Sequence, residues 1–243
     1  FPAALIAFGM LARTGKVDLG RWEHLLLLAL GGDYAKGEWD SFCLRYAELE
    51  RGGLYIGRIL NAADNLKDPS RLVEFMCHKP DLREILQSPH MEKLVQLDIW
   101  MDGKTQEIID PFEPLILYHV TEDDEKEADS EDPLELCVHP PILHKRFSDV
   151  LVEKTRGEKT VIITQFKRNA EEKITLIQVS ARDIQKGNEH DMGVLMAELA
   201  QGGGGHESAG GAKIPVPEGV DPNKVLETVH DRLWELLRGR NLV

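Results

Sequence analysis

The stretch Glu198-Leu199-Ala200-Gln201-Gly202-Gly203-Gly204-Gly205-His206-Glu207-Ser208-Ala209-Gly210 decides how the rest of this chain is read. Glycine loses more backbone freedom on folding than any other residue, so four in a row are costly to order. A flexible linker is one reading. Linkers join independent units and are commonly padded with serine. This cluster instead sits between a helical pattern carrying Met192, Leu195, Met196 and Leu199 and a strand-like run near Ala212 to Val216. Bare backbone in that position suits anion binding, because N–H groups can turn inward as a nest and approach phosphate oxygens closely. Gly203, Gly204 and Gly205 are therefore candidate phosphate contacts. His206 adds a donor, and a positive charge when protonated.

Two familiar nucleotide motifs are excluded. A P-loop requires Lys-Ser/Thr after its last glycine, and here His206-Glu207 follow Gly205. A dinucleotide fingerprint follows a strand and opens a helix; here the helix comes first.

Working outward, Leu115 to Val120 reads as a strand and Leu143 to Lys154 as a helix after Pro140-Pro141. Lys159 to Gln165 and Lys173 to Ser180 read as strands, and Asp221-Pro222 opens a terminal helix. Strands alternating with helices predict a small α/β domain over 112–243. Arg182, at a strand end ahead of the glycine helix, is a candidate second phosphate contact or else a solvated arginine. The first 87 residues read as helices, at Trp22 to Ala29, Glu38 to Leu49, Leu54 to Asn65 and Ser70 to His78. Ser88-Pro89 opens a connector helix over 88–111, with Leu94, Leu97, Met101 and Ile108 on one stripe and Gly103 as a candidate interruption.

The net charge of −13 opposes a general affinity for nucleic acid. Much of it is local: Glu122 to Glu135 carries nine acidic residues against one lysine, leaving about −5 for the remainder. The stretch 121–135 reads as a solvated acidic loop; the sharper alternatives are a docking tail for a basic partner or a guard against misplaced nucleic acid. Cys43, Cys77 and Cys137 form no C-x-x-C pair, the pattern of reduced thiols in a cytoplasmic protein. No run of eighteen apolar residues indicates a membrane span. The chain opens Phe1-Pro2 without methionine and reads as starting partway through a longer protein.

The glycine segment is similar to the G-G-G-G-H-x-x-A-[AG]-G signature of the DHHA1 domain, which in the DHH/DHHA1 phosphoesterase superfamily closes over the substrate's phosphates. Gly57-Arg58-Ile59-Leu60-Asn61-Ala62-Ala63-Asp64 resembles the P-R-[IL]-N-A-A-G-R element of RecJ-like single-strand-specific exonucleases. It departs by the extra Leu60 and by Asp64-Asn65 in place of Gly-Arg. Leu28-Ala29-Leu30-Gly31-Gly32-Asp33 looks like that family's last metal motif.

The resemblance implies that residues 1–87 are the C-terminal part of a DHH domain. Arg58 and Asn61 would contact substrate, and Asp33 would bind Mn2+ or Mg2+. The D-x-D and D-H-H motifs are absent, so the remaining metal ligands are expected upstream, and the chain alone is expected to hydrolyse little. The implied function is a metal-dependent exonuclease on single-stranded DNA or RNA in repair or replication, with a replication or repair protein as partner through the acidic segment. A phosphodiesterase for short oligonucleotides or cyclic dinucleotides is the enzymatic alternative. A non-catalytic replication scaffold, like the eukaryotic helicase cofactor of the superfamily, is the alternative from another class.

Overall fold

The computed structural model describes residues 89–129, 142–183 and 191–240, with single positions at 10, 13, 14 and 68. The chain forms two compact units, residues 1–99 with 131–139 and residues 100–130 with 140–243. The second holds nearly all the described residues and is described by itself. The helices read between residues 22 and 78 lie outside the described residues, as do the three cysteines.

Helix α1 spans Pro89–Ile108 and runs through Gly103 without a break. It is followed by β1 (Leu115–Val120), α2 (Glu122–Asp129), α3 (His144–Lys154), β2 (Thr160–Arg168) and β3 (Ile174–Arg182). The unit closes with α4 (Met192–Leu199), β4 (Gly204–His206), β5 (Ala209–Pro215) and α5 (Pro222–Arg238). The strands form one mixed sheet in the order β1-β2-β3-β5-β4, with β1 parallel to β2 and the other pairings antiparallel. This is the α/β architecture that the alternation of strand and helix patterns predicts.

Alternation along each strand divides the residues between two layers. On one face Ile162, Phe166, Ile177, Val179, Ala181 and Ala212 pack with α4 and α5 through Met192, Leu195, Met196, Val229, Leu233 and Leu237. On the other, α3 lies over β2 and β3, and the fully buried Phe147 meets Tyr118 and Trp100 at ring-centroid distances of 6.0 and 5.6 Å. Each such burial is worth roughly 1.5–3 kcal/mol. Because α3 covers only the β2–β3 side, the same face of β5 and β4 is left uncovered by it.

Over its described part the acidic segment is not the loop its composition predicts, and residues 130–135 lie outside the described residues. Glu122–Asp129 is a helix, and the reason is local. Thr121-Glu-Asp-Asp124 forms a capping box: the Asp124 amide donates to Thr121 Oγ1 at 3.1 Å, while Asp124 Oδ2 accepts from the Thr121 amide and hydroxyl, each at 2.8 Å. Acidic residues in the first turn also suit the helix dipole. Asp124 is buried, its side chain 2% exposed, where it accepts from the Tyr118 hydroxyl at 2.6 Å and pairs with Lys104 at 3.0 Å. Burial opposes its ionisation, but bonds from Tyr118, Thr121 and Lys104 outweigh that and hold its pKa below the usual carboxylate value. Glu125 is buried too and accepts from Gln165 Nε2 at 2.8 Å. Burial raises its pKa, and the Gln165 bond offsets part of the rise.

Gln165 also caps α3. Its Oε1 accepts from the Leu143 and His144 amides at 2.8 and 3.1 Å, replacing the side-chain cap that Leu143 cannot provide.

The glycines near α4 answer first to packing. A Cβ on Gly203 would stand 2.0 Å from the Met196 carbonyl oxygen, and one on Gly210 would stand 2.3 Å from that of Met192. A Cβ on Gly193 would meet the Gly205 carbonyl carbon at 2.7 Å. Helix and hairpin thus touch backbone to backbone. The two-residue turn Glu207-Ser208 is fixed from both sides, the Glu207 carbonyl accepting from the Met192 amide and the Ser208 carbonyl from the Asp183 amide, each at 3.0 Å.

Gly203→Ala should therefore lower the melting temperature by ten degrees or more, the signature of a backbone overlap costing several kcal/mol. Gly204→Ala, whose added Cβ meets nothing within 4 Å, should shift it by only a few degrees. Thermal denaturation of the two variants makes the comparison.

A second expectation concerns acid. His119 Nδ1 and His230 Nε2 lie 3.1 and 3.2 Å from Thr164 Oγ1, joining β1, β2 and α5. Burial, and then the neighbouring His230, push the His119 pKa down from 6.5 to about 4, with Asp124 opposing. Burial lowers that of His230 as well. The unfolded chain therefore binds more protons between these pH values, and stability falls as pH drops from about 6.5 towards about 4, then levels off for this group. The loss on account of His119 should be on the order of 3 kcal/mol. Urea denaturation at stepped pH should show that slope in the wild type and a shallower one in His119→Gln.

Candidate functional site

The face of β5 and β4 that α3 leaves open, with the adjoining residues of β3, forms the floor of a cleft of about 560 Å³. The strand register places its residues in cross-strand rows. Arg182, Ala209 and His206 lie opposite one another, as do Ser180, Gly211 and Gly204, and then Gln178 and Lys213. The N-terminal turn of α3 contributes His144 and Lys145 to the wall.

No aspartate or glutamate is among the described residues lining the cleft. Lys145, Arg182 and Lys213 supply three permanent positive charges to it, within a chain of net charge −13. The described lining of this cleft is thus neutral or cationic, with Asp149 paired to Arg182 beside it, and positive charge in a concavity draws an incoming anion. Arg182 is held in place by Asp149, its Nε 2.8 Å from Oδ1. That bond occupies Nε, Nη1 donates to the Ala181 carbonyl at 3.4 Å, and Nη2 is left for a ligand. Ser180 is fixed by Ser148, with the two hydroxyls 3.0 Å apart. His206 is exposed and makes no side-chain hydrogen bond with the other described residues.

The glycines divide into two groups. Gly202, Gly204 and Gly205 line the cleft, and Gly203 lies against Met196 instead. Gly205 has φ 153° and a Cβ there would meet the Ala209 carbonyl oxygen at 2.1 Å. Gly204 and its cross-strand partner Gly211 are different: neither has positive φ, a Cβ on Gly204 meets nothing within 4 Å, and one on Gly211 meets only the Val179 carbonyl oxygen at 3.4 Å. The sequence suggests a nest in a loop. The structure instead pairs Gly204–His206 with Ala209–Gly211 as an outermost strand of the sheet. An edge strand still leaves alternate N–H and C=O groups unpaired by its sheet, so backbone donors at the cleft remain available by a different geometry.

The sequence-derived candidates thus separate. Gly204, Gly205, His206 and Arg182 are brought together on one cleft, with Gly203 adjoining as packing. Arg58, Asn61 and Asp33 lie outside the described residues. Among those described, no group of three or more His, Cys, Asp or Glu side chains is arranged to hold a metal ion. No helix among them is long and apolar enough to cross a membrane. Sequence reading missed Lys145, Lys213, Gln178 and Ser180. The last three carried a usable signal, since each lies on the Arg182 or Ala209 side of strict strand alternation.

Scans against protein-family models and against curated proteins find no match for this chain. Among solved structures it is similar to a pGpG-specific phosphodiesterase from Vibrio cholerae, with 16% identity and a TM-score of 0.42, covering 74% of this chain and 58% of that one. It is also similar to an exopolyphosphatase-related protein from Bacteroides fragilis, with 14% identity and a TM-score of 0.35, covering 79% of this chain and 55% of the other. The chain spans little more than half the length of either, and overlap this loose fixes neither a fold family nor an activity.

Proposed function

We propose that this chain is the substrate-binding part of a RecJ-like phosphoesterase that hydrolyses single-stranded nucleic acid, with the cleft on β3, β5 and β4 as its phosphate clamp. The observation that carries the reading is the cleft itself. Three permanent cations, two histidines and bare glycine backbone converge on one concavity from which described carboxylates are absent. A phosphodiester brings delocalised negative charge and several acceptor oxygens, and these groups are its complement. Arg182, oriented by Asp149, can present a planar fork of donors, whereas Lys145 and Lys213 act as point charges. His206 stands on the glycine strand itself, beside the unpaired amides of the edge.

This chain's residues bind and orient the phosphate and offset the charge that grows on its oxygens during hydrolysis. Asp33, by the same resemblance, would help to hold a manganese ion, which would supply an activated water and Lewis acidity. A cleft of about 560 Å³ also suits a dinucleotide, which supports the short-oligonucleotide reading as the second choice. Repair or replication as the setting, and the acidic segment as a protein-docking surface, stay with the first.

The test is a nuclease assay of the complete protein with manganese on single strands labelled at either end, beside His206→Ala. The variant should fold normally and lose about 10–100-fold in kcat/KM, the scale of one charge-assisted contact. Binding by the chain alone should weaken as salt rises, with a log–log slope of about −0.7 for each phosphate that the cleft neutralises. Unchanged activity in His206→Ala, or binding indifferent to salt, would remove the assignment.

A further inference from the structure

The guanidinium of Arg182 is engaged before any ligand arrives. Asp149 Oδ1 accepts from its Nε at 2.8 Å, and the side chains of Arg182 and Asp149 are only 26% and 17% exposed. Beside a site for anions a carboxylate is a liability, since it repels the ligand and cancels the charge of the arginine it holds. Asp149 comes from α3, where its neighbour Ser148 meets Ser180 with the two hydroxyls 3.0 Å apart. Ser180 and Arg182 lie on the same face of β3, and both line the cleft. Two adjacent residues of α3 thus hold two successive side chains of the cleft face. The seat of the helix and the direction of the guanidinium are set together.

We infer that Asp149 is a positioning residue, which makes Arg182 a directional donor toward the cleft while cancelling its charge, and which restricts position 182 to arginine. This rests on the phosphate-clamp reading above and deepens it. Held by Asp149, the Arg182 side chain keeps one aim in the free protein, so little rotamer freedom is lost when an anion binds. The ion pair is close to neutral toward a distant anion. Attraction at long range then falls to other cations of the cleft such as Lys213, which is exposed and makes no ion pair with other described residues. A lysine at 182 could not serve both partners. Its single ammonium would turn to Asp149, whereas a guanidinium gives one nitrogen to the carboxylate and another to the ligand.

The test is fluorescence anisotropy of a labelled oligothymidylate titrated with the full chain at several salt concentrations. Arg182→Ala should weaken binding by about tenfold or more, the scale of a hydrogen bond from a charged donor. Asp149→Ala should weaken it by roughly three- to tenfold, even though a negative charge leaves the site. Asp149→Asn, whose amide oxygen still accepts from Nε, should bind within about twofold of the wild type or more tightly, with a steeper dependence on salt. Arg182→Lys should bind as poorly as Arg182→Ala, and several-fold better when combined with Asp149→Asn. By NMR the Arg182 Nε–H proton should exchange slowly in the wild type and rapidly in Asp149→Ala. Melting temperatures check folding; if Asp149→Ala does not fold, the Arg182→Lys comparison decides. Binding by Asp149→Ala as tight as that of the wild type overturns the inference, because the carboxylate then acts only as a repelling charge. An equal loss from Asp149→Ala in the Arg182→Ala background also overturns it, placing the effect in the fold. So does wild-type affinity in Arg182→Lys. If His206→Ala weakens binding and the Asp149 variants do not, the clamp stands and the positioning role falls. If neither His206→Ala nor Arg182→Ala changes the affinity, both fall.

Discussion

The backbone-to-backbone contact between α4 and the β4–β5 hairpin is the constraint on which the rest of this unit depends. Gly203, Gly210 and Gly193 lie at approaches of 2.0–2.7 Å measured from where a Cβ would stand. No larger residue permits the helix to sit that close. The helix in turn fills the layer beneath β3 and β5 with Met192, Leu195 and Met196. With that face sealed, the opposite face of the same strands is free to be polar, and it is there that the cleft opens. Stability on one side of the sheet and ligand chemistry on the other are therefore drawn from one glycine-rich segment. Gly204 and Gly211, which packing does not claim, mark where the two roles part.

The asymmetry of the cleft follows from helix placement. Phe147 and its neighbours draw α3 over β2 and β3, and Gln165 holds its first turn there by accepting two of its amides. The end of α3 that carries His144 and Lys145 becomes a wall instead of a lid. The acidic helix α2 takes part in the same anchoring through Glu125 and Gln165. A run of carboxylates that seems to disqualify the chain from binding anions thus serves partly as internal structure, with Asp124 and Glu125 turned inward.

Much of this was legible in the sequence, and the failures have physical causes. The strands at 115–120, 160–168 and 174–182 and the helices at 144–154 and 222–238 follow from apolar periodicity and from the Asp221-Pro222 cap, with ends displaced by only a few residues. The helix at 122–129 was hidden because six carboxylates in eight residues swamp any periodicity; its signal was the capping box at Thr121 and Asp124. The short strand at 204–206 was hidden because glycine has low strand propensity, and only pairing with Ala209–Gly211 makes it a strand. The grouping of His206 with Arg182 was anticipated on chemical grounds. Their placement in one row depends on the antiparallel register, which no local pattern reveals. Lys145 comes from a helix more than thirty positions earlier in the chain, so its arrival at the cleft is a tertiary fact.

The turn at Glu207-Ser208 has a consequence for how such a chain can diverge. Its two carbonyls are held by Asp183 at the end of β3 and by Met192 at the start of α4. The stretch that joins those residues is thereby tethered at both ends to the same small feature, and the separation of its ends is set by the hairpin and not by its own length. Loop closure grows only slowly less favourable with added residues. Insertions or deletions between Asp183 and Met192 can therefore accumulate in relatives of this protein while the spacing of histidine, arginine and glycine backbone across the cleft stays constant.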